Sequence, residues 1–172
     1  MKNIVLKALT ILAWIGEVIT LIVTVLLVLS GILAAIPSFR TQVLKSLPLD
    51  LNSSLNINPL VIVLALLLAA VGMGTLFWII RSFRLLIKNI NQEIYFDEKN
   101  LDLLRAILVS LGIYTVADIA FACLVELSQV GQEFGLDFAD TGFSLVVLAI
   151  IYVIYLVFKN GLELKNETKD II

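Results

Sequence analysis

Four apolar runs, each of bilayer-crossing length, leave this chain few folds to choose from. They extend from about Ala8 to Ile36, Leu60 to Ile80, Ala106 to Leu127 and Phe143 to Phe158. A hydrocarbon core about 30 Å thick takes about 20 apolar residues of helix to cross. The fourth run is the shortest, and it gains length when Gly142 and Lys159 are placed at the interfaces. Lipid offers the backbone no hydrogen-bond partner, so a spanning segment must satisfy its own N–H and C=O groups. A soluble domain of 172 residues with 60% hydrophobic and 15% charged side chains would lack the polar surface to cover its core. Its mean hydropathy of +1.06 says the same. The sequence predicts an all-α integral membrane protein: one domain over 1–172, built as a four-transmembrane-helix bundle.

The first run is about twice the length of a signal-peptide core and no A-x-A site follows it, so it reads as an uncleaved span. Basic residues orient the chain. Lys2, Lys7, Arg81, Arg84, Lys88, Lys99, Arg105, Lys159, Lys165 and Lys169 fall on one side, and only Arg40 and Lys45 on the other. The positive-inside rule places both termini, the loop 81–105 and the tail 159–172 in the cytoplasm, and the loops 37–59 and 128–142 outside. The second outer loop, with Glu133, Asp137 and Asp140 and no basic residue, suits that side. In the first, "PSFRTQVLKSLP" puts Phe39, Val43, Leu44 and Leu47 on one helical face behind a Ser38 cap, which predicts a short helix on the outer surface. Asp140 or Thr141 is the expected cap of the fourth helix.

The residue inventory excludes much chemistry. There is no histidine, and the one cysteine, Cys123, lies within the third span and reads as a small apolar filler. No zinc, iron–sulfur or other cofactor site can be assembled from that set, and the P-loop, nucleophile-elbow and zincin motifs are missing. The water-exposed segments are too short for a catalytic domain, so the expectation is a non-enzyme with no metal, no cofactor and no direct binding of nucleic acid.

Two acids interrupt the spans. Glu17 lies ten residues past Lys7, about 15 Å along a helix, and Asp118 thirteen past Arg105, about 20 Å, which puts both near the midplane. Glu17 shares a face with Thr20 and Thr24, and Asp118 with Ser110 and Tyr114. No basic residue lies within any span, so each acid is expected to be a neutral carboxyl that bonds across helices to these hydroxyls, with Glu17 and Asp118 candidate partners of each other. A proton or cation relay, or docking of an intramembrane partner, is the alternative. The pairs Ala65 and Ala69, Ala70 and Gly74, Ser30 and Ala34, and Gly31 and Ala35 permit close helix approach, within one chain or in a homodimer.

The loop 81–105 is the richest stretch. Arg81, Arg84 and Lys88, at i, i+3 and i+7, form one basic stripe on a helix leaving the membrane, suited to anionic lipid headgroups or to a cytosolic partner. Asp97 is a natural N-cap, Glu98 suits the positive helix end, and Leu101, Leu104 and Leu108 open the apolar face of the third helix. Phe96, Asp97, Glu98, Asn100, Leu104 and Arg105, with Phe158, Lys159, Gly161, Leu164 and Glu167 near the end, give the chain a resemblance over its whole length. It resembles the small bacterial four-helix membrane proteins of domain-of-unknown-function family 2975. Lys165 stands where that family usually has glutamine, and Lys169 where it has aspartate.

The resemblance implies a bacterial cytoplasmic membrane protein without established activity. Its members are often encoded beside a small helix-turn-helix repressor, which implies a regulatory or sensory partner of a cytosolic transcription regulator. Arg81, Arg84, Lys88, Asp97, Asn100 and Arg105 are the candidate contacts to that partner or to lipid, and Glu17, Asp118, Tyr114 and Thr20 the intramembrane polar set. Two other classes stay open: an immunity or accessory protein that binds another membrane protein or a bacteriocin-like peptide, and a small oligomeric transporter.

Overall fold

In a computed structural model the chain is described over residues 2–39, 42, 59–127 and 139–169. Four helices account for nearly all of them: α1 (Lys2–Ala35), α2 (Pro59–Asn91), α3 (Glu98–Leu127) and α4 (Ala139–Lys169). Each contains a stretch long and apolar enough to cross a membrane. The protein is a multi-pass membrane protein whose outward helix faces contact lipid.

Prolines mark two helix ends. Pro59 opens α2, where its fixed φ is already helical and its missing N–H has no partner to lose. Pro37 follows the end of α1 and starts a new turn through Phe39, whose N–H donates to the Ile36 carbonyl at 3.1 Å. The rest of the expected surface helix, and most of the loop 128–142, lies outside the described residues. α4 starts at Ala139, so Asp140 and Thr141 fall within its first turn and not at its cap.

The helices pack in chain order as an open row. α1 meets α2, α2 meets α3 and α3 meets α4, and among the described residues no other pair comes close. Neighbours run antiparallel. Gly16 faces Ile80, Gly74 faces Thr24, and Gly31 faces Leu66 and Leu67. Small residues form this seam: Ala34 is buried with Ile62 and Leu66, and Ala70 is buried too. Water-driven burial is absent between helices in lipid, so this close backbone approach supplies the attraction through dispersion. Gly31, Ala34 and the pair Ala70–Gly74 contribute to packing inside one chain, whereas Ala35 is exposed.

The antiparallel row gathers the start of α1, the end of α2, the start of α3 and the end of α4 on one side, here termed the basic face. It carries Lys7, Arg81, Arg84, Lys88, Lys99, Arg105, Lys159 and Lys165. Leu60 to Ile80 of α2 rises about 30 Å, one hydrocarbon thickness. α2 then continues eleven residues to Asn91, about 16 Å beyond that slab. The helices outrun their apolar runs because hydropathy detects the lipid-facing part only. Of the segment 81–105, just residues 92–97 lie outside α2 and α3.

Candidate functional site

The link between α2 and α3 is short, exposed and tightly tied. α2 ends with Glu93 in the left-handed region (φ 63°). The N–H of Ile94 donates to Asn89 O at 3.0 Å and that of Glu93 to Ile90 O at 3.1 Å, the paired closure of a Schellman end. Asp97 then caps α3: its Oδ1 accepts from the Lys99 N–H at 3.0 Å, and its carbonyl accepts from the N–H groups of Asn100 and Leu101.

Asn100 fastens the two ends together. It is 0% exposed, its Nδ2 donates to the carbonyls of Ile94 (2.8 Å) and Tyr95 (2.7 Å), and its Oδ1 accepts from Asn89 Nδ2 at 2.7 Å. Below it Leu86 and Ile87 of α2 and Leu104 and Ile107 of α3 are buried. Asn100 is therefore inaccessible to a partner or to lipid, which corrects its place among the surface contacts. A polar residue in the first turn of a helix reads as exposed in sequence, and only the fold of the link closes over it.

α4 completes the structure from the other side. The Phe96 ring packs on Phe158, with centroids 5.6 Å apart, and lies directly over Gly161. A Cβ at position 161 would clash with the edge of the Phe96 ring, so any larger residue there would displace the ring from this position. Lys165 Nζ donates to the Phe96 carbonyl at 2.7 Å, a bond that a glutamine amide can also make. Of the residues that carry the resemblance, Phe96, Phe158 and Gly161, far apart in sequence, meet here.

The basic stripe is divided. Arg84 Nε donates to Glu17 Oε2 at 2.7 Å, with side chains 28% and 13% exposed. The Arg81 guanidinium lies 5.6 Å from the centre of the Trp78 ring, and Lys88 and Arg105 are exposed. The ion pair corrects the expectation that Glu17 lacks a counter-ion. It also corrects its depth: Glu17 is level with Ile80 to Arg84, at the edge of the slab and not at its midplane. Trp14 and Trp78, both exposed on nearby turns, suit that interface.

Thr20 is buried, but its hydroxyl donates to Gly16 O (2.8 Å) and Glu17 O (3.1 Å) in its own helix. Thr24, Thr75 and Thr115 do the same. These hydroxyls satisfy themselves locally and do not cross-link helices, contrary to the expectation.

Asp118 does sit near mid-depth. It lines a groove between α2 and α3 together with Leu68, Ala69, Gly72, Met73, Leu76, Tyr114, Ala117 and Phe121. Glu17 lies about 15–18 Å away along the helix axes, and α1 does not reach α3. A bond between the two acids is excluded by that geometry. Both Asp118 and Tyr114 have partners within the protein. Cys123 is exposed on the lipid side of α3, not buried as a filler. Among the described residues no cluster of His, Cys, Asp and Glu is arranged to hold a metal.

A family model described as protein of unknown function (DUF2975) matches residues 50–172. The chain belongs to that family. The match spans α2, α3 and α4, hence the whole DUF2975 platform of Asn100, Phe96 and Gly161, while α1 and its Glu17 lie outside it. No curated protein and no solved structure matches the chain.

Proposed function

We propose that this DUF2975 protein is a non-enzymatic membrane partner of a cytosolic helix-turn-helix regulator, which docks on the link between α2 and α3. The observation that carries this reading is the exposure of Ile94, Tyr95 and Phe96, at 39%, 39% and 40%. Two of these side chains, Ile94 and Tyr95, stand in water at the end of a rigid stem, and the third, Phe96, is half covered by Phe158. The stem ends about 16 Å past the hydrocarbon slab, of which headgroups account for only about 5–7 Å, and Ile94 and Tyr95 stand at that end while Phe96 turns back onto Phe158. Lipid does not cover them there. A contiguous apolar patch on an ordered surface marks a protein contact. Lys88 near it adds a basic charge, whereas Arg81, Arg84 and Arg105, closer to the slab, suit lipid headgroups.

The test is affinity purification in mild detergent with mass spectrometry of the bound proteins. The double variant Ile94→Asp/Tyr95→Asp leaves Phe96 on Phe158 and leaves the Asn100 bonds intact, since those use backbone carbonyls. It is expected to insert normally and to lose a co-purifying regulator. Equal recovery from wild type and variant, or a bound membrane protein or peptide in place of a regulator, refutes this reading.

A further inference from the structure

We propose that the groove beside Asp118 binds a lipophilic organic cation that enters sideways from the bilayer. The groove has a volume of about 240 Å³, and its walls come from α2 and α3 alone. Among the described residues no third helix closes it, and it opens onto lipid. Gly72 opposes the Tyr114 ring, where an added Cβ would rest at 3.8 Å, and the absence of that Cβ widens the floor. The walls contributed by Ala69, Met73 and Phe121 are apolar; Asp118 supplies the acid.

Depth selects the ligand. The groove runs along residues 68–76 of α2 and is centred about 18 Å from the Leu60 edge of the slab and about 12 Å from the Ile80 edge. Inorganic ions and zwitterionic headgroups keep their water and stay at the surface, because an ion stripped of hydration in hydrocarbon is strongly disfavoured. A cation shielded by apolar or aromatic groups loses less hydration and reaches that depth. There the carboxylate neutralises it, and the pair is held in hydrocarbon more easily than either charge alone. The rings of Tyr114 and Phe121 add a favourable face for the cation. Asp118 already makes an interaction within the protein, and the cation is taken beside that contact or in its place. The apolar second groove across the same two helices, lined by Val71, Ile113 and Val116, has no acid and offers an internal comparison.

Equilibrium binding of radiolabelled tetraphenylphosphonium to the purified full chain in mild detergent tests this. Neutral triphenylphosphine oxide serves as the uncharged control, and each variant is first shown to be monodisperse. Wild type is expected to bind the cation saturably. Asp118→Asn, which keeps the size and polarity of the side chain, should weaken that binding at least tenfold and leave uptake of the neutral probe unchanged. Ala69→Phe, which fills the groove and leaves the carboxyl in place, should weaken it comparably. No saturable binding by wild type overturns the proposal. So does equal affinity in wild type and Asp118→Asn, or unaltered binding in Ala69→Phe.

Discussion

At the scale of single residues, Asn100 bears on everything near the basic face. Its amide makes three bonds at 2.7–2.8 Å in a site without water access. Asn100→Ala leaves the carbonyls of Ile94 and Tyr95 and the amide of Asn89 without that partner. Each lost bond weighs about 0.5–1.5 kcal/mol and stranded buried groups weigh more, so a total of about 2–4 kcal/mol is expected. Thermal unfolding in detergent, followed by circular dichroism, measures it; a shift near zero would mean that the link holds itself by its turns alone. None of this burial was legible in the sequence, because Asn100 becomes inaccessible only when residues 92–97 fold back over it. The Asp97 cap was legible, since capping is a local matter of one side chain and the next turn. So was Asp118 near mid-depth. Glu17 was not, since its partner stands 67 positions away.

At the scale of elements, the Glu17–Arg84 pair joins α1, which lies outside the matched family range, to α2, which lies within it. Above and below it the seam is small side chains against Ile and Leu, which tolerates sliding by a turn. A charge pair does not, because displacing it strands a carboxylate at the edge of hydrocarbon. Glu17→Gln should lower stability by about 1–3 kcal/mol, between the values typical of exposed and buried pairs. The exchange Glu17→Arg/Arg84→Glu should recover a large part of the loss. A double variant no more stable than Glu17→Arg alone would show that the two side chains do not couple. The four helices themselves were legible from apolar length. Their water-exposed extensions were harder to see, for α2 runs to Asn91 on an amphipathic pattern that hydropathy averages away.

At the scale of the whole molecule, the row α1–α2–α3–α4 leaves α1 and α4 at opposite edges, each with a single neighbour among the described residues. Antiparallel order follows from successive spans crossing the bilayer in turn and was expected; which helices touch was not, because all four are apolar on most of their circumference. In a Cys123→Ser background, Thr24→Cys with Gly74→Cys should form a disulfide on mild oxidation, as a Cβ added at Gly74 would rest 3.8 Å from Thr24 Cγ2. Ile11→Cys with Val157→Cys, on α1 and α4, should not. Intact-mass measurement after alkylation separates the two results, and efficient closure of the second pair would replace the row by a ring. The stem that carries Ile94 to Phe96 has a mechanical consequence. α2 is one uninterrupted rod from bilayer to water, braced by α3 through Asn100, and the link at its end rests on α4 at Gly161. A change of about 10° in its tilt, well within the range of membrane helices, sweeps the end of a 16 Å projection by about 3 Å. What the lipid or a bound molecule does to the angle of the rod is thereby written, as displacement, on a surface in water.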